Sequence, residues 1–337
     1  MKCFLLKSPS GIDSLEQAER PKPDVLPGQV LVRVRACSLN YRDLMIAQGR
    51  YAGAPARDSL VPLSDGAGEI VEIGSRVSRW KPGDRVAGCF FQRWSGGEPG
   101  TDTAASALGG AIDGMLAEYV ALEENGVVAI PAHLSFEEAA TLPCAALTAW
   151  HALVGHGAVK AGDTVLVQGT GGGSIFALQL AHALGARVLV ISSSDQKLER
   201  ARTMGASDCV NYKTRPEWEK AVRELTAGRG VDQVIEVGGA GTFARSLAAI
   251  RVGGRISLIG VLSGMADVNP MLILQKRANV QGISVGSTQF FEAMNRAITV
   301  NLIRPVIDKV FAFDETKAAY SHLQSAAHFG KIVIRID

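Results

Sequence analysis

The residues whose spacing carries the most specific chemistry are Gly169-Thr170-Gly171-Gly172-Gly173-Ser174. They follow the dinucleotide fingerprint G-x-G-x-x-G/A, with Ser174 at the third small position. A sharp turn needs Gly169, and close approach of backbone to a pyrophosphate needs Gly171, where a Cβ would push the phosphate away. The N-terminus of the next helix then offers free N–H groups and a partial positive charge to the anion. About twenty residues on, such folds place a carboxylate on the ribose 2′-hydroxyl. Here that position reads Ser192-Ser193-Ser194, with Lys197 close behind. Asp195 falls one step into the next helix, where Ser194 serves as its N-cap and the helix dipole accounts for the acid. A strand tip without a carboxylate favours NADP(H) over NAD(H). Lys197 is then either a partner of the 2′-phosphate or a solvated helix charge.

Positioning these residues requires strand, turn, helix and strand in that order. Apolar runs at Val165–Val167 and Val188–Ile191 flank a helical segment, Ser174–Leu184. Beyond them strands (208–212, 231–237, 255–259) alternate with helices (216–226, 241–250), the pattern of a doubly wound parallel sheet with helices on both faces. The part before about Pro131 reads as all-β, with Leu31-Val32-Arg33-Val34-Arg35 alternating and Pro82-Gly83-Asp84-Arg85-Val86 turning into a strand. Arg93–Gly110 is expected to be a long surface loop anchored by Trp94. Ser135 with Glu138 forms a capping box for a helical stretch that passes Pro143. A last strand at 280–285, a helix at 289–300 and a strand at 331–335 complete the chain. The fold class is therefore α/β, a doubly wound parallel sheet joined to a β-rich part.

At 337 residues the chain implies two domains, and 35 basic against 33 acidic residues give a net charge of +2 with no arginine-rich stripe. Nucleic acid is not expected as a partner. No apolar run reaches the roughly 18 residues that span a bilayer, so no membrane is expected and the cytoplasm is the expected compartment. The five cysteines are scattered and show no C-x-x-C pair, which argues against a disulfide framework or a cysteine-rich zinc lobe.

In order and spacing, Pro82–Val86, the segment Thr141-Leu142-Pro143-Cys144-Ala145-Ala146-Leu147-Thr148-Ala149 and the turn Gly169–Ser174 resemble the medium-chain dehydrogenase/reductase superfamily. The resemblance implies a GroES-like catalytic domain (1–131 and 287–337), a Rossmann NADP-binding domain (132–286), an active site in the cleft between them and a homodimer. Zinc-dependent members carry a Cys, a His-Glu pair and a Cys or Glu where this chain has Asn40, Ser64-Asp65 and Cys144. Asn and Ser are poor zinc ligands, so no zinc is expected; a set made of Asp65, Cys144 and Asp43 is the remaining alternative.

Leu39-Asn40-Tyr41-Arg42-Asp43 followed by Gly49-Arg50-Tyr51 resembles the zinc-free quinone oxidoreductase branch. That resemblance makes Asn40, Tyr51, Asp65, Cys144 and Thr148 candidates for the catalytic site. It also brings Tyr212 to the 2′-phosphate and turns Gly260, Val261, Ser284 and Val285 toward the nicotinamide. Each of the first group has a plainer reading: Asn40 and Asp43 as satisfiers of backbone groups in a turn, Tyr51 as packing, Cys144 as a small core residue. The expected reaction is hydride transfer from NADPH to a small carbonyl or quinone substrate (a quinone, enone or enal) without a Lewis acid. A zinc-type alcohol dehydrogenase and a nonenzymatic NADPH-binding sensor are the alternatives.

Overall fold

A computed structural model describes residues 1–8, 10–51, 59–260, 262–264 and 267–337. The chain forms two compact units, Met1–Leu147 with Val285–Asp337, and Thr148–Ser284.

The first unit begins with an antiparallel pair, β1 (Lys2–Leu6) and β2 (Leu15–Glu19). Next come the long strand β3 (Gln29–Leu39), helix α1 (Tyr41–Ala47) and strands β4 (Asp65–Ile73), β5 (Arg85–Gly88), β6 (Tyr119–Glu123) and β7 (Val127–Ala129). Ser135 caps α2 (Phe136–Ala139) in the expected capping box, its hydroxyl accepting from Glu138 N. Pro143 has no N–H to give to an α-helical ladder, and the chain passes it in a wider π-type turn, Leu142–Ala146, before α3 (Leu147–Trp150). The helical stretch from Phe136 to Leu147 belongs to this first unit. The supposed loop from Arg93 is tied down at its start. Trp94 is buried, packs edge-on against Phe91 with ring centroids 5.8 Å apart, and donates from Nε1 to Gly97 O.

The second unit holds strands β8 (Thr164–Gln168), β9 (Arg187–Ser192), β10 (Asp208–Asn211), β11 (Val231–Glu236), β12 (Ile250–Leu258) and β13 (Asn279–Gly282). Between them run helices α4 (Gly172–Ala183), α5 (Asp195–Thr203), α6 (Trp218–Leu225), α7 (Phe243–Ala249) and α8 (Pro270–Lys276). The six strands form one parallel sheet in the order β10-β9-β8-β11-β12-β13. That order is the doubly wound arrangement, with the glycine turn following the strand at which the winding reverses. Leu166, Leu189, Val234, Trp218, Leu247 and Ile256 are among the buried residues of its core.

The chain then returns to the first unit through α9 (Thr288–Val300), β14 (Ile307–Phe311), α10 (Thr316–Gln324) and β15 (Lys331–Arg335). The sheet there runs β14-β15-β3-β4-β5-β7, with β6 also paired to β3. Val32, Val34, Ile70, Met115, Ile332 and Ile334 are buried in the core beside it. Among the described residues no helix is long and apolar enough to cross a membrane.

Candidate active site

In the first unit, the sheet order itself assembles a polar cluster. β15 and β4 lie on either side of β3 and both run antiparallel to it. The register pairs Ile332 with Leu39 and Ser38 with Asp65. The starts of two strands and the end of a third therefore meet, bringing together Lys331, Asn40 and Asp65. Just before Asp65, the buried Leu63 is held at φ 69, a left-handed conformation that bulky side chains rarely adopt. A Cβ on Gly114 would stand 2.1 Å from the Leu63 carbonyl oxygen, so the bend requires glycine as its neighbour.

Asp65 has no exposed surface, and its carboxylate is surrounded by donors. Ser64 Oγ donates to Oδ1 at 2.7 Å, while Cys144 N (3.2 Å) and Ser38 Oγ (3.4 Å) donate to Oδ2. The Lys331 ammonium, 2% exposed, stands 3.7 Å from Oδ2. It donates to Leu39 O at 2.7 Å and to Asn40 Oδ1 at 2.6 Å. Asn40 N donates to Asp43 Oδ2 at 2.8 Å, which ties the end of β3 to α1. Asn40 Nδ2 is buried and has no acceptor among the described residues.

Asp43 is also buried and receives Arg42 Nη1 at 3.3 Å. Burial outweighs the attraction of the guanidinium and raises its carboxyl to about 6. For Arg42 the balance runs the other way. Burial opposes its charge, but Asp43 and Tyr51 overcome that and leave it raised. The guanidinium also lies over the rings of Phe90 and Tyr51, 4.5 and 5.2 Å from their centroids. Burial, reinforced by the Asp65 carboxylate, raises the Cys144 thiol well above its ordinary range and keeps it protonated. The expected Asn40, Tyr51, Asp65 and Cys144 are thus linked through Arg42, Asp43 and Lys331. Of these three, the sequence alone points only to Asp43. Lys331 had a visible signal, a lysine opening the otherwise apolar run Ile332-Val333-Ile334. Thr148 is buried in α3 and is the first residue of the second unit.

A groove of about 420 Å³ elsewhere in this unit is lined by Arg20, Asp113 and Tyr119. There Arg20 is paired to Asp113 at 2.8 Å and donates to Ser59 at 2.7 Å.

In the second unit, Gly169 has φ 74, the turn conformation expected of the first glycine. Thr170 follows it, Gly171 is the N-cap of α4, and Gly172 and Gly173 open the helix. A Cβ on Gly173 would meet nothing within 4 Å. Ser174 is buried and donates to Gln168 O at 2.6 Å, so the third position holds helix and strand together by a hydrogen bond. The first-turn N–H groups have no acceptor within the helix. At the end of β9, Ser192 is buried, whereas Ser193 and Lys197 are half-buried. Ser194 accepts from Lys197 N, confirming the N-cap. Asp195 is engaged by Asn211 Nδ2 at 2.8 Å. Tyr212, 40% exposed, donates its N–H to Ser192 O and so stands at the same strand tip.

Gly260 fits against β11, where a Cβ would stand 2.4 Å from Val237 O. Ser284 ends the second unit, and Val285, a β-branched residue at φ 50, resumes the first. Val261 lies outside the described residues.

Residues 26–132 match the family model described as alcohol dehydrogenase GroES-like domain, and residues 173–299 match the one described as zinc-binding dehydrogenase. The chain is 46% identical to a zinc-type alcohol dehydrogenase-like protein of Schizosaccharomyces pombe, over 97% of each chain. It is 28% identical to a quinone oxidoreductase of Lama guanicoe, over 91% of this chain and 88% of that one. The crystal structure of a putative alcohol dehydrogenase from Sinorhizobium meliloti superposes with a TM-score of 0.91 at 42% identity, covering all of both chains.

The zinc that one description implies does not fit these residues. Zinc needs three protein ligands drawn from Cys, His and carboxylate, and here an amide, Asn40, and a hydroxyl, Ser64, occupy two of the positions. The remaining carboxylate, Asp65, already faces an ammonium. Among the described residues no group of three His, Cys, Asp or Glu is placed to hold a metal, the Asp65, Cys144 and Asp43 set included. A dinucleotide does fit the turn at Gly169, whose neighbour Gly173 leaves open space beside the free N–H groups of α4. With both domain models matched and near-full-length relatives, the chain belongs to the medium-chain dehydrogenase/reductase superfamily and is an NAD(P)-dependent oxidoreductase of the alcohol dehydrogenase-like or quinone oxidoreductase-like kind.

Proposed function

We propose that the protein is a zinc-independent reductase that uses NADPH to reduce a small conjugated carbonyl compound, a quinone, enone or enal. The observation that carries this reading is the Lys331 ammonium beside Asp65. The buried negative charge is balanced by the chain itself, and the neighbouring positions lack zinc ligands. Oxidation of a simple alcohol is hard without a Lewis acid, whereas a conjugated acceptor needs mainly orientation and a donor for the oxygen that becomes negative. The name of the guanaco relative points to the same class of acceptor.

Bound NADPH supplies the hydride. Gly169, Thr170, Gly171, Gly172, Gly173 and Ser174 would hold its pyrophosphate, and Ser192, Ser193, Ser194, Lys197 and Tyr212 would take the 2′-phosphate. Backbone at Gly260, Ser284 and Val285 would face the nicotinamide. Asn40 and Tyr51 orient the substrate oxygen. Asp65, held by the Cys144 N–H, balances the Lys331 ammonium that faces Asn40, and Thr148 is the remaining candidate for the catalytic set. The working form is a homodimer. Its support is the edge strand β13, with exposed residues at Asn279, Gln281 and Gly282 and with Met271 and Leu274 exposed on the neighbouring α8.

The test is a panel of quinones, enals, enones and alcohols run with NADPH and NADH in parallel, alongside metal analysis of the purified protein. Turnover of conjugated acceptors by zinc-free protein, faster with NADPH, is the expected outcome. Alcohol oxidation that requires about one zinc per chain would replace this reading with the zinc-type one. Tight NADPH binding without turnover of any substrate would favour a nonenzymatic role.

A further inference from the structure

We propose that Lys331 is a positioning residue that fixes the Asn40 carboxamide so that its Nδ2 group donates a hydrogen bond to the carbonyl oxygen of the substrate. An ammonium has three donors and no acceptor, so the Asn40 atom facing it at 2.6 Å is the amide oxygen. The amide nitrogen must then point the other way. The other directions of Lys331 are committed to Leu39 O at 2.7 Å and to the Asp65 carboxylate at 3.7 Å. The lysine is 2% exposed and cannot swing aside. Asn40 Nδ2 is buried and has no acceptor among the described residues, an arrangement that is costly when nothing compensates it. Such orphaned groups call for an explanation, and a ligand acceptor provides one.

The inference rests on the reading above for the identity of the acceptor. When hydride reaches the conjugated carbon, the electron pair displaced through the double bond ends on the carbonyl oxygen, which becomes an enolate. Asn40 Nδ2–H stabilises that oxygen by hydrogen bonding and keeps its proton; water supplies the proton that completes the reduction. A substrate lacking an acceptor oxygen gains nothing from this donor.

Lys331→Met alone strands Asp65 and threatens the fold, so the lysine is removed together with the acid in the double variant Lys331→Met/Asp65→Asn. That variant should bind NADPH as the wild type does. Its kcat for a 1,4-quinone or enone should fall by about a hundred- to a thousandfold, the range over which one oxyanion donor acts. Asn40→Asp, which removes the donor and leaves Lys331 in place, should lose a similar factor with NADPH affinity unchanged. Adding Asn40→Ala to the double variant should cost less than about a further twofold, because Lys331 acts through Asn40. Additive losses, or unchanged kcat in Asn40→Asp, would overturn the inference. If the double variant does not fold, Asn40→Asp decides. If the wild-type protein reduces none of these acceptors, the functional reading has failed on its own. The orientation of the amide is then read by NMR of the Asn40 side-chain NH₂ group, which must shift when Lys331 and Asp65 are replaced; an unchanged signal would refute the lysine's role.

Discussion

Two carboxylates, one in each unit, have no exposed surface at all, and they are stabilised in opposite ways. Glu236, at the end of β11, is wrapped by neutral groups. Gly238 N (2.9 Å), Gly239 N (3.0 Å) and Thr242 Oγ1 donate to Oε1, while Gln168 Nε2 (2.7 Å) and Ser246 Oγ donate to Oε2. Asp65 has hydroxyls and one N–H, and in addition the Lys331 ammonium. The neutral cradle is closed: each group that holds Glu236 belongs to the local turn or to the adjacent strand and helix, and its effect ends there. The cationic one is open, because Lys331 passes its influence to Asn40 and leaves at Nδ2 a donor with no partner among the described residues. A buried charge closed in this way serves the fold, whereas the open arrangement retains capacity to bind.

The largest effect should come from breaking the cationic arrangement. Lys331→Met leaves Asp65 buried and uncompensated, which should cost about 3–5 kcal/mol in urea unfolding. Asp65→Asn in the same chain should recover most of that loss. If it recovers none, Lys331 is important for packing rather than for charge.

A pH titration separates the two sites next. Asp43, beside the lysine cluster, has its folded carboxyl raised to about 6 against an unfolded value near 3.9. Its favourable contribution is therefore fully present below about pH 4 and is lost as pH rises through about 6. The stability of wild type relative to Asp43→Asn should fall across that window by at most about 3 kcal/mol. A difference that is flat between pH 4 and 7 would show that Arg42 compensates Asp43 completely. Glu236→Gln should cost somewhat less, about 1–3 kcal/mol, because it turns an N–H₂ group toward donors while leaving no bare charge. A loss greater than that of Lys331→Met would invert the comparison.

The smallest effect tests the cofactor end of the second unit. Lys197→Gln should weaken NADPH by about tenfold, roughly 1.4 kcal/mol, and leave NADH nearly unchanged. Equal weakening of both cofactors would remove the 2′-phosphate from the reading of Ser193, Lys197 and Tyr212.

The sequence was most informative where chemistry is local. The turn at Gly169, the cap at Ser194 and the capping box at Ser135 each depend on residues within a few positions, and the structure places them where residue types and spacing indicate. Strands of the parallel sheet were legible because both faces are buried and their apolar runs are continuous. The lysine cluster was not. Asn40, Asp65 and Lys331 come from far-separated parts of the chain and meet only through the register of β15, β3 and β4. Asp43 fulfils its plainer reading by accepting from Asn40 N, and it also belongs to the charged cluster. A single sequence shows a lysine at the start of an apolar strand but not which carboxylate it will meet.

The interrupted first unit also sets an order of events during synthesis. Residues 148–284 form a continuous segment with its own sheet and core, so this unit has all its parts before β15 leaves the ribosome. Asp65 and Asn40 emerge early and wait for their lysine until nearly the whole chain has been made. A nascent chain halted between Ser284 and Gly330 thus carries a nucleotide unit able to fold beside a carboxylate without its cation. Release at that stage would leave Asp65 without the ammonium that balances it in the finished chain.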